Sequence, residues 1–317
     1  MAPIDGSQSP LFDAAALAHR RDRAMALGFV GGGDFLFREA AARVAERIAD
    51  VRDRRFARAV VVGSGAGALA EALPGALGIS GEGVAMTDPS PAMLAAAAAR
   101  LPQAVAHPWA GETLPFERGG ADLALSLGVM QWLEDPVGHL VQLRLALAPD
   151  GLMIAVLPGG ETLSALRHAL AEAEVAETGG LSPRVAPMAE LRAAGALLQR
   201  AGLQMPVADG EPIEVSYADA WALMRDLRAM GETAAMRDRL RRPTRRAVFR
   251  RAAEVYGARA AGPDGRVTAR FELIFLTGWS PGPDQPRPLR PGSAKARLAD
   301  ALGAFEVPAG EKTGGSG

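Results

Sequence analysis

Between positions 63 and 88 the chain sets out residue types with a recognisable chemical use. Gly63-Ser64-Gly65-Ala66-Gly67 follows a short apolar run, and Asp88 closes the next apolar run. Glycine lets a backbone turn sharply and brings a ligand to the peptide groups with no Cβ in the way. A carboxylate at the end of the following strand can accept both hydroxyls of a ribose. Strand, glycine turn, helix, strand and acid together predict a nucleoside site. Gly63, Gly65 and Ala68 also satisfy the relaxed dinucleotide spacing, so NAD stays open on spacing alone. Against NAD, nothing downstream reads as the acid–base pair of hydride transfer.

These residues need a sheet to hold them. Ala59–Val62, Val84–Thr87, Ala104–Ala106, Asp122–Leu127 and Leu152–Leu157 read as short strands, the last preceded by a Pro149-Asp150-Gly151 turn. Helical patterns alternate with them over Ala66–Leu77, Ser90–Arg100 and Val137–Leu147. That alternation predicts an α/β fold with a doubly wound, mostly parallel sheet. Two amphipathic runs, Leu11–Met25 and Phe35–Val51, read as helices preceding this domain. After Pro158 the pattern turns helical over Thr162–Ala176, Met188–Arg200, Tyr217–Met230 and Arg245–Ala260. Short strands are expected at Leu203–Val207 and Ile213–Val215, and a longer one at Arg266–Gly278. Residues 1–10 read as a loose lead-in, 11–279 as the domain, and 280–317 as a tail too poor in apolar residues to order itself.

Composition removes several functions. The 317 residues are 49% hydrophobic, enough to bury a sizeable core. Thirty-five basic and 36 acidic side chains leave a formal charge of −1, a poor basis for holding nucleic acid through its phosphates. Cysteine is absent, which excludes disulfides, thiolate metal sites and cysteine nucleophiles. The four histidines are scattered and none begins an H-x-D or H-x-E pair, so no metal site is expected. No stretch reaches the length of a membrane span, and the first ten residues lack the basic and apolar regions of a secretory signal. A cytoplasmic location is the resulting expectation. The Arg237–Arg251 stretch is strongly basic and reads first as a solvated helical face, then as a surface for an acidic protein.

Leu114-Pro115-Phe116, Ala121-Asp122-Leu123 and Gln131-Trp132-Leu133 make the chain resemble the class I S-adenosylmethionine methyltransferases. Leu11-Phe12-Asp13, Gly160-x-Thr162-Leu163-x-x-Leu166-Arg167, Gly180 to Pro187, Met230-Gly231-Glu232 and Gly278-Trp279 are similar to a narrower group. So is the tail from Arg287-Pro288 to Gly292-Ser293-Ala294. That group is the family of the fifth mitochondrial complex I assembly factor, with the malonyl-carrier-protein O-methyltransferase of biotin synthesis as a more distant cousin. The resemblance implies a seven-stranded Rossmann-like sheet ending in an antiparallel hairpin, with extra helices at the N-terminus and in the C-terminal half. It implies S-adenosyl-L-methionine as cofactor, held by Gly63, Ser64, Gly65, Gly67, Asp88, Glu112 and Leu114. It implies a protein substrate, a subunit of respiratory complex I, whose arginine the assembly factor is associated with hydroxylating. A non-methylating assembly role and peripheral membrane contact stay open. Segment Gly160–Pro187 is the expected substrate-facing lid. The family's acids before the glycine turn and near the adenine are here Val61 and Ala110. Each lost charge-assisted bond predicts cofactor binding weaker by about 1.5–3 kcal/mol, roughly ten- to hundredfold.

Overall fold

Four-residue apolar runs cannot complete a stable helix, but they suit strands buried on both faces. The computed structural model describes residues 10–51, 54–109, 111–283 and 285, apart from the side chains of residues 70 and 74–77. Its strands are β1 (Ala59–Val62), β2 (Val84–Thr87), β3 (Val105–Ala106), β4 (Ala121–Leu127), β5 (Leu147–Pro158), β6 (Gln204–Tyr217) and β7 (Val267–Trp279). They form one sheet in the order β3-β2-β1-β4-β5-β7-β6. The first five are parallel, and β7 runs antiparallel between β5 and β6. The order turns back between β1 and β4, which opens a crevice at the carboxyl ends of these two strands.

Nine helices surround the sheet among the described residues: α1 (Ala14–Ala26), α2 (Phe35–Ala49), α3 (Ala68–Leu77), α4 (Pro91–Arg100), α5 (Pro136–Ala146), α6 (Ser164–Thr178), α7 (Leu191–Arg200), α8 (Ala220–Ala229) and α9 (Arg246–Ala260). Strand alternation divides β1 between two apolar layers. Val61 packs in a layer that includes Val44 of α2, Leu69 of α3 and Met93 of α4. Val60 and Val62 pack in the opposite layer with Leu140 of α5 and Leu198 of α7. A third cluster joins α6, α8 and α9 to the first half of β7 through Leu166, Leu223, Tyr256 and Phe271. Local chemistry starts the helices where the sequence signals them. Ser90 accepts from the Met93 amide at 3.1 Å ahead of Pro91, and Asp135 accepts from Gly138 at 2.8 Å ahead of Pro136.

Two sequence expectations change. The two strands expected at 203–207 and 213–215 are one strand, β6, running through Gly210 and Pro212. β6 lies at the sheet edge and pairs only with β7, where a proline without an N–H is tolerated. The turn at Pro149–Gly151 sits inside β5 as an irregularity: Ala121 pairs with Leu147, whereas Leu123 pairs with Leu152. Asp150 adopts φ 61° there. Helices α1 and α2 fall within the expected 11–279 domain, and Ala24, Phe37, Val44 and Ile48 belong to its core. The tail expectation meets the structure only at its start. Ser280 is buried and exchanges backbone hydrogen bonds with Gly151 and Asp150, while residues 286–317 lie outside the described residues.

Candidate functional site

The chain between β1 and α3 turns through three glycines in the left-handed region, Gly63 (φ 73°), Gly65 (φ 53°) and Gly67 (φ 95°). A Cβ on Gly63 would stand 2.1 Å from the Leu127 carbonyl oxygen, so β1 and β4 meet here with no room for a side chain. Gly67 packs on Ala97 of α4 with a similar demand, at 3.0 Å from its Cα. Gly65 differs: a Cβ there would come no closer than 3.9 Å to Phe37. Two glycines therefore serve packing, and the middle one has open space beside its Cα.

Asp88 follows the end of β2 and is buried beside this turn. Its carboxylate accepts from the Gly65 amide at 2.8 Å and from the Ser90 amide at 2.8 Å. Burial pushes its pKa above the ordinary carboxylate value, while Arg21 and the two amides pull the other way. Arg21 itself comes from α1 and is completely buried, 3.9 Å from Asp88. It donates to the Gly128 carbonyl and, at 2.7 Å, to Glu232. Burial opposes its charge, but Glu232 and Asp88 outweigh burial and hold its pKa above the ordinary value. Glu232 also accepts from Trp132 Nε1 at 2.8 Å. The neighbouring Asp22 accepts from Ser90 Oγ at 2.6 Å and from the Ala92 amide, tying α1 to α4. A charged network from four distant parts of the chain thus closes the carboxyl ends of β2 and β4.

The residues present fit a polar nucleoside ligand. Ser64 Oγ, Thr87 Oγ1, Gln131 Oε1 and two nitrogens of Arg21 are buried with no hydrogen-bond partner among the described residues. Buried polar atoms rarely stay unpaired without a use. The expected site residues divide. Gly63, Ser64, Gly65, Gly67 and Asp88 come together as one turn. Leu114 packs in the apolar layer that includes Val62 of β1, and its amide donates to Gln142 Oε1 at 2.8 Å. Glu112 is committed elsewhere: its carboxylate accepts from the Glu134 amide at 2.7 Å and from the Asp135 amide at 3.3 Å. Val61, where the family pattern has an acid, is fully buried in the apolar layer, and Ala110 lies outside the described residues. Sequence reading missed Arg21, whose only signal was a charge run from Arg20 to Arg23 on an amphipathic helix. Glu232 was recognised as part of a family motif but had no role.

Beside the network a cavity of about 650 Å³ opens beyond β4 and β5. Its floor includes Leu127, Gly128 and Leu157, and its roof includes Leu166, Leu170, Val185 and Met224. The roof segment leaves the sheet at Gly159 and returns at Ala189, where the two pair as a parallel bridge. Arg184 anchors it by donating twice to Glu174 and once to Thr244. That pairing, led by the Arg184 hydrogen bond, lowers the Glu174 pKa to about 2. His107 and His168 take no part in the cavity lining, while Trp132 does.

A family model described as a methyltransferase domain matches residues 60–153. The mitochondrial arginine-hydroxylase NDUFAF5 of Danio rerio is 34% identical over 293 residues, covering 92% of this chain and 89% of the relative. The chain belongs to the NDUFAF5 family. The human member is 32% identical over 285 residues, covering 88% of this chain and 80% of that protein. A malonyl-[acyl-carrier protein] O-methyltransferase of Xylella fastidiosa is 33% identical over 169 residues, 53% of this chain and 55% of the enzyme. Among solved structures, the YcgJ protein of Bacillus subtilis superposes with a TM-score of 0.53 at 13% identity, covering 76% of this chain and 99% of that one. The fold is the Rossmann-like class I methyltransferase fold. The cytoplasmic expectation is overturned, because the NDUFAF5 relatives are mitochondrial proteins. The first ten residues and the absence of cysteine do not decide a compartment.

Proposed function

We propose that this NDUFAF5-family chain is an S-adenosylmethionine-dependent methyltransferase acting on a protein, with a subunit of respiratory complex I as its partner. The observation that carries the reading is the buried Asp88 carboxylate on the amide of Gly65, the one turn glycine with open space beside it. Gly63, Ser64, Gly65 and Gly67 would hold the cofactor's polar end, and Asp88 its ribose, with Arg21 keeping that carboxylate in place. Glu112 and Leu114 would border the adenine from the loop that Gln142 pins. The cofactor supplies a methyl group on a sulfonium sulfur. Methyl transfer rests on in-line positioning, so the chain needs no acid–base residue at the crevice. Its work is to orient the acceptor and exclude water, done by α1 over the turn and by the Gly160–Pro187 segment over the cavity. Isothermal titration of the full chain with adenosylmethionine and adenosylhomocysteine tests this. Saturable binding of both supports it; no heat at millimolar ligand with folded protein overturns it.

Arginine hydroxylation is the second reading, favoured by the match to NDUFAF5 over 92% of the chain. Among the described residues no group of three His, Asp or Glu side chains is placed to hold a metal ion. Mass spectrometry of the partner subunit, isolated with and without this protein, separates the two readings: an added methylene against an added oxygen.

A further inference from the structure

Between the end of α8 and the second turn of α9 the chain carries charge that nothing in the fold answers. Positions 237–251 hold eight arginines and one aspartate, in a chain whose formal charge is −1. Two of the eight are committed to the chain's own N-terminal part: Arg237 donates to the Pro10 carbonyl at 3.1 Å, and Arg239 pairs with Asp13 at 2.9 Å. The other six are Arg241, Arg242, Arg245, Arg246, Arg250 and Arg251. All are exposed, and their side chains make no hydrogen bond or ion pair among the described residues. Arg245 and Arg246 stand at the start of α9, where no side chain caps the helix and the first turn holds no acid. Helix α8 begins instead on Asp219, which accepts from the Ala222 amide. The N-terminal end of a helix is positive, so cations there oppose the fold rather than hold it. Arg246 and Arg250 lie one turn apart on the same face.

This basic stretch borders the cavity beyond β4 and β5. Leu240, Thr244 and Phe249 line that cavity and alternate in sequence with the exposed arginines. Thr244 accepts from Arg184 of the roof segment at 3.0 Å, which ties the stretch to the roof. Trp221 of α8, 40% exposed and 6.4 Å from Phe249, shares a shallow groove with Arg250. Arginine and tryptophan are frequent anchors of protein interfaces, and a guanidinium can meet a carboxylate through two hydrogen bonds. The exposed acids Asp238 and Glu254 interrupt the patch, which suits the mixed charge of a protein face better than the unbroken charge of nucleic acid. We infer that residues 241–251 are the docking surface for an acidic face of the partner protein, set so that the docked partner reaches the mouth of the cavity. The docking surface extends the proposed function, whose protein acceptor it presupposes. The acids belong to the partner's surface and not to the side chain that enters the cavity.

Biolayer interferometry on the full-length protein tests it, with the purified hydrophilic subunits of complex I from the same organism as probes. The unaltered chain is compared with Arg245→Glu/Arg246→Glu/Arg250→Glu. Exposed charge contacts act on the encounter and are screened by salt. One subunit should bind, and its association rate should fall about tenfold between roughly 50 and 200 mM salt. The variant should lose about tenfold in the same rate at low salt, with dissociation changed less. It should melt no lower than the unaltered chain, because acids suit the positive end of a helix. A subunit that associates with both chains equally fast leaves the partner reading standing and overturns the docking surface. If no subunit binds, the complex I partner fails, and dodecaglutamate at low salt decides the surface: binding that the variant loses sustains it, and no binding overturns it. Tighter binding of a DNA duplex or of phosphatidylglycerol vesicles than of the subunit, at about 150 mM salt, assigns the patch to another class of partner and overturns it. Adenosylmethionine titrated on the same samples should bind both chains alike, and it reports separately on the cofactor site.

Discussion

Replacing Arg21 by methionine removes the only positive charge that the network holds at the end of β2. Methionine keeps much of the side chain's length and volume, so the change is mainly electrostatic. The guanidinium is fully buried, 2.7 Å from Glu232 and 3.9 Å from Asp88. Taking one partner from a buried ion pair leaves the others uncompensated and typically costs about 3–5 kcal/mol. That is roughly two to four orders of magnitude in the folded-to-unfolded ratio. The loss carries a pH signature. Burial already raises the Asp88 pKa, and without Arg21 that pKa rises further. A carboxyl with a folded pKa above its unfolded one favours the folded state as it takes up its proton. The gap between Arg21→Met and the unaltered chain should therefore narrow as pH falls below neutrality. Urea denaturation at several pH values measures it, with a Glu232→Gln cycle to isolate the pair. The cycle should return a coupling of about 0.5–3 kcal/mol. A loss below about 1 kcal/mol at neutral pH, the scale of an exposed ion pair, refutes the buried-network account. So does a loss that does not change with pH.

Other outcomes follow from single contacts. Gly63→Ala should destabilise the fold by more than the roughly 1–2 kcal/mol of a left-handed non-glycine residue, because its Cβ also meets the Leu127 carbonyl at 2.1 Å. Gly65→Ala should show only the conformational part, and thermal melts compare the two. His139 on α5 is buried, its Nε2 2.9 Å from Ser126 Oγ, and burial lowers its pKa from 6.5 to about 4. The unfolded chain then binds a proton that the folded one refuses, so stability should fall by about 3 kcal/mol as pH drops from 6.5 to 4, and His139→Gln should flatten that part of the profile. Glu174→Gln should loosen the roof segment that Arg184 and Ser182 hold to α6. Its stabilising effect, present above pH 4.5, should fade as pH falls toward 2 in the unaltered chain, and hydrogen exchange at residues 180–187 reads both.

Much of the molecule is written locally. Ala59–Val62, Val84–Thr87 and Ala121–Leu127 are apolar because both faces of an inner parallel strand are covered, and no other local structure suits such short runs. Ser90-Pro91 and Asp135-Pro136 mark helix starts through bonds made within three residues. The glycine turn and Asp88 are legible for the same reason, since each is a property of a strand's end. Where partners are far apart the sequence is silent. β6 looks interrupted at Gly210-Glu211-Pro212, and only its ladder to β7 makes it one strand. The order of residues sets Glu112 just before Leu114-Pro115-Phe116, and only the fold brings the Glu134 and Asp135 amides to its carboxylate.

The strand–turn–acid pattern, the doubly wound order of elements and the family are thus decided by the order of residues alone, because backbone preference and burial period act over a few positions. The site's electrostatics are decided only in the folded chain. Arg21 stands in a run of charges that suits any exposed helix, yet it is buried because Asp88 and Glu232 are brought to it from the end of β2 and from the loop after α8. The unpaired arginines between α8 and α9 border the cavity only once Thr244 meets Arg184 of the roof segment. Charge chemistry depends on distance in space, and that distance exists only after folding.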